Sequence, residues 1–122
     1  MPNAPDSPTP IVAVIGGATA GAEVAGRLAE RGAVVVVFEM NPRPFGKIED
    51  GLPRWHVALR NKEYETVGNK LGHPNVHFVP NTKIGRDVDF KELASEWGFT
   101  SIVLANGAWR DRPLPIDGID AY

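Results

Sequence analysis

Ile11-Val-Ala-Val-Ile-Gly-Gly-Ala-Thr-Ala-Gly21 is the stretch on which the fold turns. Ile11 to Ile15 is a continuous run rich in β-branched side chains between Pro10 and Gly16, the signature of a strand covered on both faces of a parallel sheet. After the glycines the spacing becomes helical. From Thr19 to Arg31, Val24, Leu28 and several alanines fall on one side, and Glu23, Arg27, Glu30 and Arg31 largely on the other. Gly32 supplies the expected stop, and Ala33-Val-Val-Val-Val-Phe38 forms a second apolar strand that ends at Glu39. Strand, glycine-rich turn, helix and strand within roughly 30 residues make a βαβ unit, whose crossover is right-handed almost without exception. The fold class read from this is α/β, a Rossmann-type βαβ with a mainly parallel sheet.

The turn Gly16-Gly17-Ala18-Thr19-Ala20-Gly21 feeds directly into a helix. A helix N-terminus carries unpaired N–H groups and the positive end of the helix dipole, so a pyrophosphate is stabilised there. Glycine at 16 permits the sharp turn, and glycine at 21 allows helix and strand to pack closely. Ala18 stands in the slot of the middle glycine of GxGxxG, where its methyl group would push a diphosphate outward; Gly17 beside it leaves the backbone room to adjust. Glu39 follows Gly21 by 18 residues, at a strand end where an acid accepts hydrogen bonds from both ribose hydroxyls and repels a 2′-phosphate. The pattern therefore fits FAD or NAD better than NADP.

Met40 to His56 contains Pro42, Pro44, Gly46, Gly51 and Pro53 and reads as an irregular loop. Such long loops in small domains often serve a function. A helix is expected from Val57 to Leu71, a strand at Val76 to Val79 and a short extended piece around Ile84. A helix from Phe90 to Trp97 and a buried strand from Ser101 to Ala105 follow, the latter broken by Asn106-Gly107.

Composition narrows the function further. The chain has 122 residues, 43% of them hydrophobic, which suffices for one modest domain and not two. Residues 1–10, with four prolines, read as a flexible leader, and 11–122 as the domain. A formal charge of −2 offers no basic stripe for nucleic acid. No apolar run is long enough for a bilayer, and no signal segment is visible, so a cytoplasmic location is expected. The absence of cysteine excludes disulfides, thiolate metal sites and iron–sulfur ligation by this chain, so any redox chemistry must come from an organic cofactor. No catalytic triad or metal motif is found, and His73 and His77 lack partners at metal-ligand spacing.

Beyond residue 40 the sequence resembles one family in several places. Asn41-Pro-Arg-Pro-Phe-Gly46, Gly51-Leu-Pro-Arg-Trp-His56, Gly85-Arg-Asp-Val88, Ile102-Val-Leu-Ala-Asn-Gly-Ala-Trp109 and Pro115-Ile-Asp-Gly-Ile-Asp120 occur in the order found in the N-terminal FAD-binding segment of the adrenodoxin reductase and glutamate synthase small-subunit group of flavoproteins. The resemblance runs from Ile11 to Asp120. It implies that Gly16, Ala20 and Gly21 face the pyrophosphate, with Gly17 and Ala18 in the same turn, and that Glu39, next to Met40, meets the ribose. It also implies that Phe45, Gly46, Lys47 and His56 lie along the flavin, that the backbone near Ile84 borders the adenine, and that Asn106 and Gly107 close over the phosphates. Asn106 replaces the family's usual threonine, and Lys47-Ile-Glu-Asp50 brings two acids where a basic residue is common.

By the same resemblance the chain is the FAD-binding portion of an NAD(P)H-dependent oxidoreductase that passes hydride or electrons through flavin to an iron–sulfur or other acceptor. It is not catalytically complete alone. An inserted NAD(P)-binding domain and a return segment follow in the family, so this reads as the N-terminal part of a larger or split flavoprotein. NAD(P)H then serves as co-substrate only if a further domain or second chain completes the site. Two other readings stay open: a non-catalytic nucleotide-binding or interaction module anchored by Trp55, Trp97 and Trp109, and an NAD-binding Rossmann domain.

Overall fold

A computed structural model describes residues 8–44 and 57–107, without the side chains of 57–60 and 63. Its elements are β1 (Ile11–Ile15), α1 (Thr19–Glu30), β2 (Val34–Phe38), α2 (Val57–Leu71), β3 (Val76–Val79), α3 (Phe90–Ser95) and β4 (Ser101–Leu104). The four strands form one sheet in the order β3-β2-β1-β4, and every pairing is parallel. Ile15 lies opposite both Phe38 and Leu104, so the C-terminal ends of the three strands reach the same level, and Val79 joins them beside Phe38.

Because side chains alternate along a strand, each face of the sheet has its own core. On one face Val12, Val14, Val35, Val37 and Val76 pack with Ala25, Ala29 and Ala33. The stripe that α1 buries consists of Gly21, Ala22, Ala25, Gly26 and Ala29, while Val24 and Leu28 are only partly covered. The smallest residues, rather than the larger aliphatic pair, thus bring the helix close to the sheet. On its other flank α1 meets α2, where Ala22 and Val67 are buried against Tyr64 and Leu71.

The opposite face is covered more sparsely. Ala13, Ile15 and Phe38 pack beneath Leu93 of α3, with Ile84, Val88, Phe99 and Ile102 around them. Asp89 caps α3 by accepting from the Glu92 N–H at 3.1 Å. The helix is shorter than its sequence pattern: it ends at Ser95, and Trp97 turns to stack on Phe99 at 6.4 Å between centroids and meets Phe38 edge-on at 6.0 Å. β4 is not the buried strand expected from its composition. It lies at the sheet margin, where Ser101 and Leu104 are exposed, Leu104 by 65%. The extended piece expected around Ile84 is a single parallel bridge between Ile84 and Val88.

Candidate functional site

The C-terminal ends of parallel strands are where such sheets place ligand-binding turns, and here four chain segments converge there on Gly16. Its N–H donates to the Phe38 carbonyl at 2.8 Å, tying the turn to the end of β2. Its φ of +107° is one that only glycine adopts without strain. A Cβ at this position would overlap the carbonyl oxygen of Ala105 and stand 3.1 Å from Cα of Asn106, so the chain leaving β4 presses against the turn. Gly21 is constrained from the other side. A Cβ there would overlap the carbonyl oxygen of Gly16 and come within 3.4 Å of Val14. The close helix–strand contact expected of Gly21 is therefore present.

The N-terminus of α1 opens beside this turn. Ala18 is the N-cap residue, and its carbonyl accepts from Ala22 N–H at 2.8 Å, but its methyl side chain offers no capping hydrogen bond. No acidic residue lies in the first turn. Thr19 and Ala20 are exposed. A helix end without a side-chain acceptor leaves its first N–H groups to water or a ligand.

Among the described residues Glu39 is the buried charged one, only 4% exposed. Its Oε1 accepts from the Gly17 N–H and its Oε2 from the Asn41 N–H, both at 2.9 Å. Its backbone is held as well: Glu39 N–H donates to the Val79 carbonyl at 2.9 Å, and Thr82 N–H donates to the Glu39 carbonyl at 2.8 Å. The carboxylate therefore braces the glycine turn against the strand end. Since each carboxylate oxygen has a further lone pair, the group can still accept from hydroxyls outside.

Three contributors were not anticipated from sequence. Phe78 lies opposite Val37 in the β2–β3 register, and its ring edge stands 3.0 Å from where a Cβ on Gly17 would sit. Asn41 and Thr82 supply backbone donors to Glu39. Period-two alternation would have placed Phe78 on the Val76 side of its strand, but only the strand order brings it to the turn. Among the expected residues, Gly16, Gly17, Ala18, Ala20, Gly21, Glu39, Asn106 and Gly107 come together at one end of the sheet. Met40 is half-buried next to Glu39. Ile84 turns its side chain into the lower core with Leu93, and the segment before it reaches the site through Thr82. Phe45, Gly46, Lys47 and His56 lie outside the described residues, as do Trp55 and Trp109.

His73 has a local role, accepting from the Asn75 N–H through Nδ1 at 3.0 Å, and His77 is exposed. An open groove lined by Gly26, Glu30, Thr66, Asn69, Lys70 and His73 lies toward the other end of α1, away from the turn. Among the described residues no helix is long and apolar enough to cross a membrane, and no three acidic or histidine side chains gather around a possible metal.

No family model matches the chain. It is 34% identical over 110 residues, 90% of its length, to the glutamate synthase [NADPH] small chain of Bacillus subtilis, of which it spans 22%. It is 28% identical over 113 residues, 91% of its length, to the mitochondrial NADPH:adrenodoxin oxidoreductase of Drosophila melanogaster, of which it spans 24%. The chain thus spans less than a quarter of these curated relatives. Among solved structures, FprA, an oxidoreductase of Mycobacterium tuberculosis, superposes with a TM-score of 0.71 at 24% identity, over 93% of this chain and 26% of that one.

Proposed function

We propose that this chain, similar to a glutamate synthase [NADPH] small chain and to an NADPH:adrenodoxin oxidoreductase, is the FAD-binding portion of an NAD(P)H-dependent oxidoreductase. The observation that carries the reading is the buried Glu39 carboxylate braced on the Gly17 N–H, beside the uncapped start of α1. Three features of the turn support the reading. Cβ atoms at Gly16 and Gly21 would collide with the Ala105 and Gly16 carbonyls, so the tight turn requires glycine at both; the helix start has no side-chain cap and no acid in its first turn; and a carboxylate stands at the end of the neighbouring strand.

When bound, FAD would supply hydride acceptance and one-electron release, chemistry that side chains alone do not offer. The chain's own part is binding and orientation. The turn from Gly16 to Gly21 and the first N–H groups of α1 would hold the pyrophosphate by charge-assisted hydrogen bonds. Glu39 would accept from the ribose hydroxyls, and its charge would disfavour a phosphate at the 2′ position. Asn106 and Gly107 would close the turn from β4. Electrons would pass to an iron–sulfur or other acceptor, with NAD(P)H bound by a further domain or a second chain.

A titration of the purified full chain with FAD, ADP, NAD and NADP, followed by flavin or tryptophan fluorescence, tests this. FAD should bind, ADP should compete with it, and NADP should bind most weakly. Binding of none of them, or NAD in clear preference to FAD, would remove the proposal.

A further inference from the structure

We propose that Asn106 is a site of spontaneous deamidation, and that its conversion places an acid against the phosphate turn. Asn106-Gly107 is the Asn-Gly pair of the sequence; the other asparagines precede Ala, Pro, Lys, Val or Thr. The reaction needs the backbone nitrogen of the following residue to reach Cγ of the asparagine, and a side chain on that residue obstructs the approach. Gly107 has none.

The local structure removes the remaining protections. The β1–β4 pairing ends with the Ala105 N–H donating to the Ile15 carbonyl at 2.8 Å, so residues 106 and 107 lie beyond the ladder. Both are exposed, and Gly107 takes φ +71°. Among the described residues no carbonyl accepts from the Gly107 N–H, and no group holds the Asn106 carboxamide. Asn75 differs: its N–H is tied to His73 and its neighbour Val76 is buried in β3.

In the first step the deprotonated Gly107 nitrogen attacks Cγ of Asn106. A C–N bond forms, the carboxamide C–N bond breaks, and ammonia leaves with the proton. Water then opens the succinimide at either carbonyl, giving aspartate or isoaspartate at 106. No oxidant or reductant is involved. Either product adds one negative charge next to Gly16, and isoaspartate also lengthens the main chain where it already touches the turn. The consequence for ligand rests on the dinucleotide reading above: a charge there repels a pyrophosphate and offsets the pull of the α1 N-terminus.

The test has two arms with separate readouts. Ligand-free full chain is held at mildly alkaline pH and sampled for peptide mass and for isoaspartate by methyl transfer. Residue 106 should convert ahead of every other asparagine, and Asn106→Gln should abolish that signal. Retention of the amide at 106 while Asn69, Asn75 or Asn81 converts would overturn the proposal. Independently, Asn106→Asp is titrated with FAD beside Asn106→Gln. Binding roughly two- to fivefold weaker, the size of an exposed charge interaction, and weaker still at low salt, is expected. Equal affinities would sink the effect on the turn. If neither variant nor the parent chain binds a dinucleotide, the functional reading fails while the mass result still decides the modification.

Discussion

The Gly17 N–H donates to Glu39 Oε1 at 2.9 Å, across 22 residues of sequence, so the acid at the end of β2 also shapes the glycine turn after β1. Glu39→Ala would leave two donors, Gly17 N–H and Asn41 N–H, without their acceptor in a largely buried place. We expect a loss of about 2–4 kcal/mol in stability without any ligand, since each orphaned buried donor costs about 1–3 kcal/mol. Glu39→Gln should lose less, because its amide oxygen can replace one acceptor while its NH2 faces the other donor. Urea denaturation of the two variants in the absence of nucleotide checks the order; equal stability of Glu39→Ala and the parent chain would mean that the brace contributes nothing.

Gly21→Ala forces a methyl group onto the Gly16 carbonyl. The backbone cannot give way without moving α1 off the sheet, so a destabilisation of about 3 kcal/mol is expected, at the upper end of ordinary overpacking. A thermal melt of the ligand-free protein measures it, and an unchanged midpoint would contradict the close approach.

At Gly17 the neighbours are softer. A Cβ would sit 3.0 Å from the Phe78 ring, 3.3 Å from Glu39 Cβ and 3.4 Å from Val37. Gly17→Ala should therefore cost about 1 kcal/mol, and much of that cost should disappear in a Phe78→Leu background. The double-mutant cycle provides the measurement, with a coupling of at least about 0.5 kcal/mol expected for residues in contact.

The sequence made the βαβ unit, its glycine turn and the acid after its second strand readable, because those features are local. The β-branched run at Ile11, the turn, and Glu39 after the second strand follow one another within 30 residues. Phe78 was not readable, since its place beside Gly17 depends on β3 joining β2 at the sheet edge, which no local pattern specifies. The marginal position of β4 was hidden for the same reason: Ile102, Val103 and Leu104 have the composition of a buried strand, yet Leu104 faces outward. The brace at Glu39 was half visible, as an acid of the right spacing whose inward bonds appear only when Gly17 and Asn41 are placed around it.

Leu93 is fully buried and is the residue through which α3 enters the lower core. Leu93→Ala should cost about 2–5 kcal/mol, because so short a helix has little with which to refill the space. Denaturant midpoints report it. The emission of Trp97, which touches Phe38 and Phe99 on the same side, should shift to longer wavelength in the variant as that side loosens.

Asp87 gives a pH-dependent marker on the chain leading out of Ile84. Its hydrogen bond from the Arg86 side chain, then the one from the Lys83 N–H, lower its pKa from the ordinary carboxylate value. A carboxyl with a lower pKa in the folded state stabilises the fold fully above the unfolded value, and loses that contribution as pH falls through the folded one. Both groups are at the surface, so the effect should be local: the Lys83 amide resonance should shift as Asp87 protonates, with a midpoint below the ordinary carboxylate value. The same midpoint in Asp87 and a free carboxylate would overturn the assignment. In Asp87→Asn the shift should vanish.

The contact between Gly16 and Ala105 links positions near the two ends of the described chain. Such a contact forms only after a long loop has closed, at an entropic cost that local turns do not incur. The glycine turn is thus finished by β4, the last of the described strands, and not by the βαβ unit that contains it. A ligand requiring the finished turn would select chains in which β4 has docked and would stabilise them by mass action. Dinucleotide affinity would then serve as a gauge of completed folding, separating docked chains from those that have formed only their first crossover.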